Sequence, residues 1–307
     1  MQIITQLDEF PESQRGGAVS IGKFDGMHLG HSLIVHRLKS YANKLQIPSI
    51  IVTFDQPPLA VLKPEFEFVP ICTLERKIEL IKTFHIDALI VLPATKEFLE
   101  QKAGEFFQTV IKKTFDARVI IEGHNFLFGF NREGTAESIQ SFGQQSGIKV
   151  DIVDFVQIGN VRVSSSNIRH LIQNGRIESV NELMPQPYRL TGKVVRGDQR
   201  GRMLGFPTAN LADVKTVLPK PGIYAAATVI DGKRFAATTH IGSLPTFKKA
   251  DLRIEVFVHR FDGDLYGKTL SIDFLAFLRD IIPFNSVDEL IAQMKTDVQH
   301  SERIAGD

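Results

Sequence analysis

From Gln2 to about Gly175 the chain alternates short, β-branched apolar runs with longer stretches in which apolar residues return every three to four positions. The runs at 18–22, 49–54, 88–92, 117–122 and 150–153 are short and apolar, as strands buried on both faces are, and they predict a parallel sheet. Between them, 31–45 sets Leu33, Ile34, Leu38 and Tyr41 at helical spacing, and 73–84 does the same with Leu74, Ile78 and Ile81. Alternating strands and helices predict a doubly wound α/β domain. Near 183–187 the rhythm changes, because Pro185 and Pro187 break the preceding helix. Beyond them, runs at 188–195, 223–230, 235–241, 253–258 and 269–277 alternate between turn residues and predict a small antiparallel β-barrel. A terminal helix follows, opened by the capping box Ser286-Val-Asp-Glu289 and carrying Val287, Leu290, Ile291, Met294 and Val298 on one face.

Composition narrows the function classes. The 307 residues suit two domains, and 43% apolar with 23% charged residues is an ordinary globular balance. Lys and Arg number 36 against 35 Asp and Glu, so a net charge of +1 gives no overall pull toward nucleic acid or an anionic membrane. Anionic ligands must be handled locally. A single cysteine, Cys72, excludes an internal disulfide framework and a cysteine-based zinc cluster, and it suits a reducing compartment, with the cytoplasm as the expected location. Residues 1–10 lack a basic start followed by an apolar block, and no run approaches the roughly 18 apolar residues of a membrane span. Neither export nor membrane insertion is expected.

Two segments carry candidate chemistry. Gly22-Lys-Phe-Asp-Gly-Met-His-Leu-Gly-His31 runs from a strand end through a tight turn into a helix. Gly26 and Gly30 allow close backbone approach, the helix start offers unpaired N–H groups, and His28 and His31 share a face of the first turn. Phosphate binding is one reading; a zinc site and a merely structural turn are the others. Val163-Ser-Ser-Ser-Asn-Ile-Arg169 also opens a helix, where serines act either as caps or, with an Arg on the next turn, as a phosphate clamp. Gly123-His-Asn-Phe-Leu-Phe-Gly129 follows another strand and is either a loop packed on the core or an aromatic surface for a planar ring. All three would meet at the carboxyl edge of one parallel sheet.

The second dense segment, Gly197-Asp-Gln-Arg-Gly-Arg-Met-Leu-Gly-Phe-Pro-Thr-Ala-Asn210, lies between two barrel strands. Arg200 and Arg202 can neutralise phosphates, Gly201 and Gly205 can present N–H groups, and Thr208 with Asn210 offers oxygen ligands suited to Mg²⁺; a solvated hairpin is the plainer alternative. Gly263-Asp-Leu-Tyr-Gly-Lys-Thr269 imitates a P-loop but is one residue short and leads into a strand, so it reads as a hairpin turn.

The segment from Gly22 to His31 resembles the GxFDGxHxGH signature of HxGH nucleotidyltransferases. Together with 123–129 and 163–169 it is similar to the adenylylating domain of bacterial bifunctional riboflavin kinase/FAD synthetases. Segment 197–210 resembles the GxxxRGRxLGFPTAN signature of riboflavin kinases, and the family order continues through Pro221-Gly-Ile-Tyr224, Pro245-Thr-Phe247, Ile254-Glu-Val256 and Asp264-Leu-Tyr-Gly267. The two resemblances cover almost the whole chain.

What the resemblance implies is a Rossmann-like FAD synthetase (FMN adenylyltransferase) domain at 1–185 and a riboflavin kinase barrel, mainly β, at 186–307. In the first, Gly22, Phe24, Asp25, Gly26, Gly30, Ser164, Ser165 and Arg169 would bind ATP with His28 and His31 as catalytic groups, and Asn125, Phe126 and Phe128 would meet the flavin or the ATP. In the second, Arg200, Gly201, Arg202, Gly205 and Pro207 would hold ATP, Thr208 and Asn210 Mg²⁺, and Arg279 the flavin, with Glu255 as general base. Riboflavin, FMN and ATP are the implied substrates, with no nucleic-acid or membrane partner. The chain departs from the family at Gln56-Pro57-Pro58, where a His is usual. It departs again at His240 and Leu244, where Asn and Arg are usual, and at Ile281 and Pro283, which replace Glu and Lys. These departures leave two alternatives: a kinase with a regulatory, weakly active or inactive first domain, and a non-catalytic flavin sensor.

Overall fold

The computed structural model describes residues 1–65, 68–197, 200–243 and 252–306. It divides into two compact units, Met1–Ser164 and Ser165–Asp307. The expected Leu244 and 245–247 motif positions lie outside the described residues, as do Asp198 and Gln199.

The first unit is built on β1 (Gln2–Ile4), β2 (Ala18–Ile21), α1 (Leu29–Leu45), β3 (Ser49–Phe54), α2 (Leu74–Lys82), β4 (Ala88–Leu92), β5 (Val119–Gly123), α3 (Ala136–Ser146) and β6 (Lys149–Val153). All six strands run parallel in the order β1-β4-β3-β2-β5-β6. Successive residues of β3 show why its sequence is apolar throughout. Ile50 and Val52 join the core on one face of the sheet with Phe107, Ile111 and Phe115, while Ile51 joins the core on the other with Val35, Leu38 and Ile81. Both faces are covered, as the sequence pattern required. The chain winds outward from β2 through β3 to β4, then returns to place β5 on the other side of β2. That reversal opens a crevice beyond the carboxyl ends of β2 and β5. Their backbone pairing stops at Val19 and Ile120, and Ile21 N–H donates instead to the buried carboxyl of Glu122 at 2.7 Å.

The second unit starts with α4 (Ser165–Gln173) and α5 (Ile177–Glu182) and continues into a closed barrel. Its strands are β7 (Arg189–Val195), β8 (Ala209–Ala212), β9 (Gly222–Ile230), β10 (Lys233–Ser243), β11 (Leu252–Val258) and β12 (Thr269–Arg279), ordered β7-β8-β11-β10-β9-β12 and antiparallel throughout. The final helix α6 (Val287–Ala305) lies over β9 and β10, and the small side chains of Ala225, Ala226 and Ala227 leave β9 buried on both faces.

The expected apolar face of α6 is half-buried at Leu290, Ile291, Met294 and Val298, but its first residue and its fully buried positions differ from the expectation. Val287 is 58% exposed, and the buried residues of the helix are Asp297, Ser301 and Ala305. Polar contacts fasten it: Arg279 grips Asp297, and Thr238 Oγ1 bonds Ser301 Oγ at 2.8 Å. At its start Ser286 Oγ accepts the Glu289 N–H, but the Glu289 carboxylate takes the N–H of Asn285 rather than that of the cap itself.

Candidate active sites

The first site grows from the turn after β2. Phe24 and Met27 both sit at positive φ, 47° and 43°, a conformation costing roughly 1–3 kcal/mol for a non-glycine residue. Full burial of a Phe or Met side chain returns about 1.5–3 kcal/mol each, so their burial can offset the strain. Asp25 Oδ1 accepts the Ile71 N–H at 2.8 Å, and Gly26 N–H donates to Cys72 Sγ at 3.3 Å. A Cβ on Gly26 would lie 2.9 Å from Ile71, which explains the glycine. Burial pushes the Cys72 thiol up to about 11, so it stays a protonated partner of this turn.

The turn delivers His28 to the N-cap of α1, where its Nδ1 accepts the His31 N–H at 3.3 Å. That bond leaves the proton of a neutral ring on Nε2, free to donate. The His31 ring stacks on His28 with 3.7 Å between centroids and 13° between planes, and Phe24 meets it edge-on. Burial holds His28 down to about 4; burial, then His28, Lys77 and Lys23, hold His31 well below its ordinary value. At neutral pH the pair is two neutral donors. Gly30 leaves room beside it, since a Cβ there would lie 3.2 Å from His28 Nδ1 and 3.9 Å from the Val163 carbonyl. The segment entering Ser164 therefore passes this helix start. Among the described residues no group of three or more His, Cys, Asp or Glu side chains could hold a metal ion.

Two expected contacts change role. The Phe24 ring is buried in the core and reaches the site only by backing His31, and Asp25 is bonded to the backbone of Ile71. Gly22 continues the β2 ladder, donating its N–H to Val52. Ser164 ends the first unit, whereas Ser165 and Arg169 lie on α4 in the second. Sequence reasoning missed Lys77, buried with Nζ 3.2 Å from Thr53 Oγ1 and its pKa lowered by burial. The signal was present: Lys77 interrupts the stripe Leu74, Ile78, Ile81. Glu122, the one charge in an apolar strand, was also missed.

Beyond β5, Asn125 is exposed and Phe126 is half-buried, stacked on Phe128 at 5.2 Å. Phe128 is only 7% exposed and packs into the core, so it supports the loop rather than facing a ligand. Ring contacts run from Phe128 to Phe106 and on to Phe98, which lines an apolar cleft of about 590 Å³ with Leu7, Asp55, Leu92 and Pro93.

The second site lies on the outer face of the barrel. Register puts Asn210 of β8 and His240 of β10 directly opposite Glu255 of β11, on either side of it. The segment leaving β7 crosses this row, for a Cβ on Gly197 would fall 2.5 Å from Asn210 Nδ2. Residues Arg200–Met203 form one helical turn, closed by Phe206 N–H to the Gly201 carbonyl at 2.8 Å. A Cβ on Gly201 would strike the Phe206 carbonyl at 2.4 Å, and Gly205 has φ +85°, so both positions require glycine. Arg202 and Pro207 are exposed. Asn210 lies opposite Glu255 and Thr208 immediately precedes β8, and their amide and hydroxyl oxygens are a hard donor set that fits Mg²⁺.

The Arg279 guanidinium is bidentate on Asp297 at 2.6–3.2 Å and donates to the Asp280 carbonyl, so its observed contacts anchor α6.

The family described as FAD synthetase matches residues 10–167, and that described as riboflavin kinase matches 184–305. The chain belongs to both families. This FAD synthetase/riboflavin kinase chain is 32% identical to a bifunctional riboflavin kinase/FMN adenylyltransferase of Listeria monocytogenes, over 92% of this chain and 90% of that protein. It is 29% identical to the Haemophilus influenzae protein of the same description, over 97% of each. A solved structure from Streptococcus pneumoniae, described as a macrolide-efflux protein, superposes with a TM-score of 0.88 at 30% identity over 98% of both chains. Among the described residues no helix is long and apolar enough to cross a membrane.

Proposed function

We propose that the second unit transfers the γ-phosphoryl group of ATP to the 5′-hydroxyl of riboflavin, giving FMN and ADP, and that the first joins the AMP moiety of a second ATP to FMN, giving FAD and pyrophosphate. The observation that carries this reading is the presence of two separate built sites, each formed from a family signature.

In the first, His28 Nε2–H and the ring N–H of His31 donate to oxygens of the α-phosphate, where negative charge grows as pyrophosphate leaves. Neutral donors suit this task, because they bind growing charge without holding the anionic product as an ion pair. Ser164 serves the leaving phosphates, and Gly22, Gly26 and Gly30 admit the backbone approach. Asn125 and Phe126 meet the flavin nucleotide or the ATP, and the walls of the apolar cleft beside Phe98 suit a flat flavin ring.

In the second, Gly201 and Gly205 present N–H groups to ATP beside Pro207, with Arg200 and Arg202 supplying charge. Thr208 and Asn210 would hold Mg²⁺, which when bound neutralises charge on the phosphates. Glu255 takes the hydroxyl proton. The two activities divide near 185/186, where the family match at 184–305 begins, rather than at the compact-unit boundary after Ser164, and a cytoplasmic setting suits the single buried thiol.

The test is to incubate the protein with riboflavin, ATP and Mg²⁺ and resolve the flavins by chromatography. FMN followed by FAD supports the reading. FMN alone restricts it to the kinase, and unchanged riboflavin favours the flavin sensor.

A further inference from the structure

His240 and Glu255 face each other across β10 and β11, with His240 Nδ1 3.2 Å from Glu255 Oε2. Both side chains are about one-third exposed, 35% and 32%, so neither belongs to the packed interior. By the resemblance read from the sequence, Asn is usual at the His position, so the imidazole is a departure from that pattern. Its placement is also unusual. A Cβ on Gly242 would lie 2.5 Å from His240 Nε2, 2.7 Å from Cε1 and 3.0 Å from Ile281 Cδ1, so the ring rests on the bare backbone of Gly242 next to Ile281. Gly242 has no left-handed φ to explain its identity. Room for the imidazole does explain it.

We infer that His240, held over Gly242 and bonded across the strands to Glu255, is a positioning residue for phosphoryl transfer to riboflavin. The inference rests on the reading of Glu255 as the general base. A base must be ionised, and an ionised carboxylate only accepts hydrogen bonds, so His240 Nδ1 carries the proton it shares with Oε2. This fixes the carboxylate and leaves Oε1 for the substrate. The substrate hydroxyl gives its proton to Oε1 as its oxygen bonds the γ-phosphorus and the bond to the β-phosphate oxygen breaks, releasing ADP. His240 keeps its own proton throughout.

The test uses the full chain, with FAD formation from supplied FMN as an internal measure of folding. His240→Ala should lower kcat for FMN formation roughly 10- to 100-fold, the usual effect of a mispositioned reacting group. KM for riboflavin and ATP should move by no more than about twofold, since the group acts in the transition state and not in binding. His240→Asn, which keeps an N–H at similar reach, should recover most of the rate. Gly242→Ala should reproduce the His240→Ala loss by pushing the ring aside, and the double variant should be no slower than either single one, because both remove the same contact.

Parental kcat in His240→Ala would overturn the inference, as would a His240→Asn variant equally slow or losses that add in the double variant. Should His240→Ala fail to fold, His240→Asn and Gly242→Ala decide alone. Glu255→Gln separates the two levels. If it is slow while His240→Ala is not, only the positioning role falls; if it keeps the parental rate, the base assignment falls and this inference with it.

Discussion

His28 and His31 lie ring on ring, 3.7 Å between centroids, while the backbone of His31 donates to the Nδ1 of His28. The arrangement serves two neutral rings and resists protonation, and this gives a pH signature. The folded value of His28, about 4, lies below the ordinary 6.5, so between these values the unfolded chain binds the additional proton. The contribution is complete above pH 6.5 and is lost as pH falls toward 4, amounting to roughly 3 kcal/mol. Denaturant unfolding of the first unit at pH 7 and pH 4.5 should show this loss in the parent and a flatter response in His28→Gln. An identical pH response in both proteins would contradict it.

Glu122 behaves in the opposite sense. Burial holds its carboxyl well above the ordinary range, so the folded protein keeps it protonated where the unfolded chain ionises it. Stability is therefore lost as pH rises from the ordinary value of 4.5 toward the raised one. Glu122→Gln keeps an acceptor for Ile21 N–H and removes the penalty. Its Tm should match the parent at pH 4 and exceed it increasingly up to pH 8. A constant difference across that range would show that ionisation is not the cause.

The pair between Arg279 and Asp297 supports the barrel. Asp297 is 4% exposed, and its removal leaves a guanidinium without its bidentate partner. Asp297→Ala should destabilise the second unit by about 3 kcal/mol, the usual scale for breaking a buried pair. Calorimetry of the full chain should show the transition of the second unit moving to lower temperature. A loss of flavin affinity without loss of stability would return Arg279 to the ligand.

Much of this was legible in the sequence because period and signature agreed. Five of the six strands of the sheet, β2 to β6, follow from apolar runs, and the helix after His28 follows from its glycines and spacing. The edge strand β1 escaped notice because three residues carry no period. Strand β8 was hidden because Thr208 and Asn210 lie within a segment read for its chemistry rather than its alternation. Signature membership also concealed function at the level of single side chains. Phe24, Phe128 and Arg279 lie in or beside motifs, yet packing and an ion pair with a distant helix set their roles. Lys77 and Glu122 were visible only as charges in apolar patterns. Their partners, Thr53 and Ile21, come from other strands, and no local reading supplies them.

The central claim is that two chemically independent sites act in sequence, and one crossed measurement tests it most directly. The parent, the double variant His28→Ala/His31→Ala and Glu255→Gln are each supplied with ATP and Mg²⁺ plus either riboflavin or FMN, and flavin products are followed over time. The histidine variant should convert riboflavin to FMN at the parental rate and accumulate it, with FAD formation reduced by at least roughly 10²-fold. Glu255→Gln should form FAD from FMN at the parental rate while FMN formation from riboflavin falls roughly 10²- to 10⁴-fold. Equal loss of both reactions in either variant would contradict two separate sites.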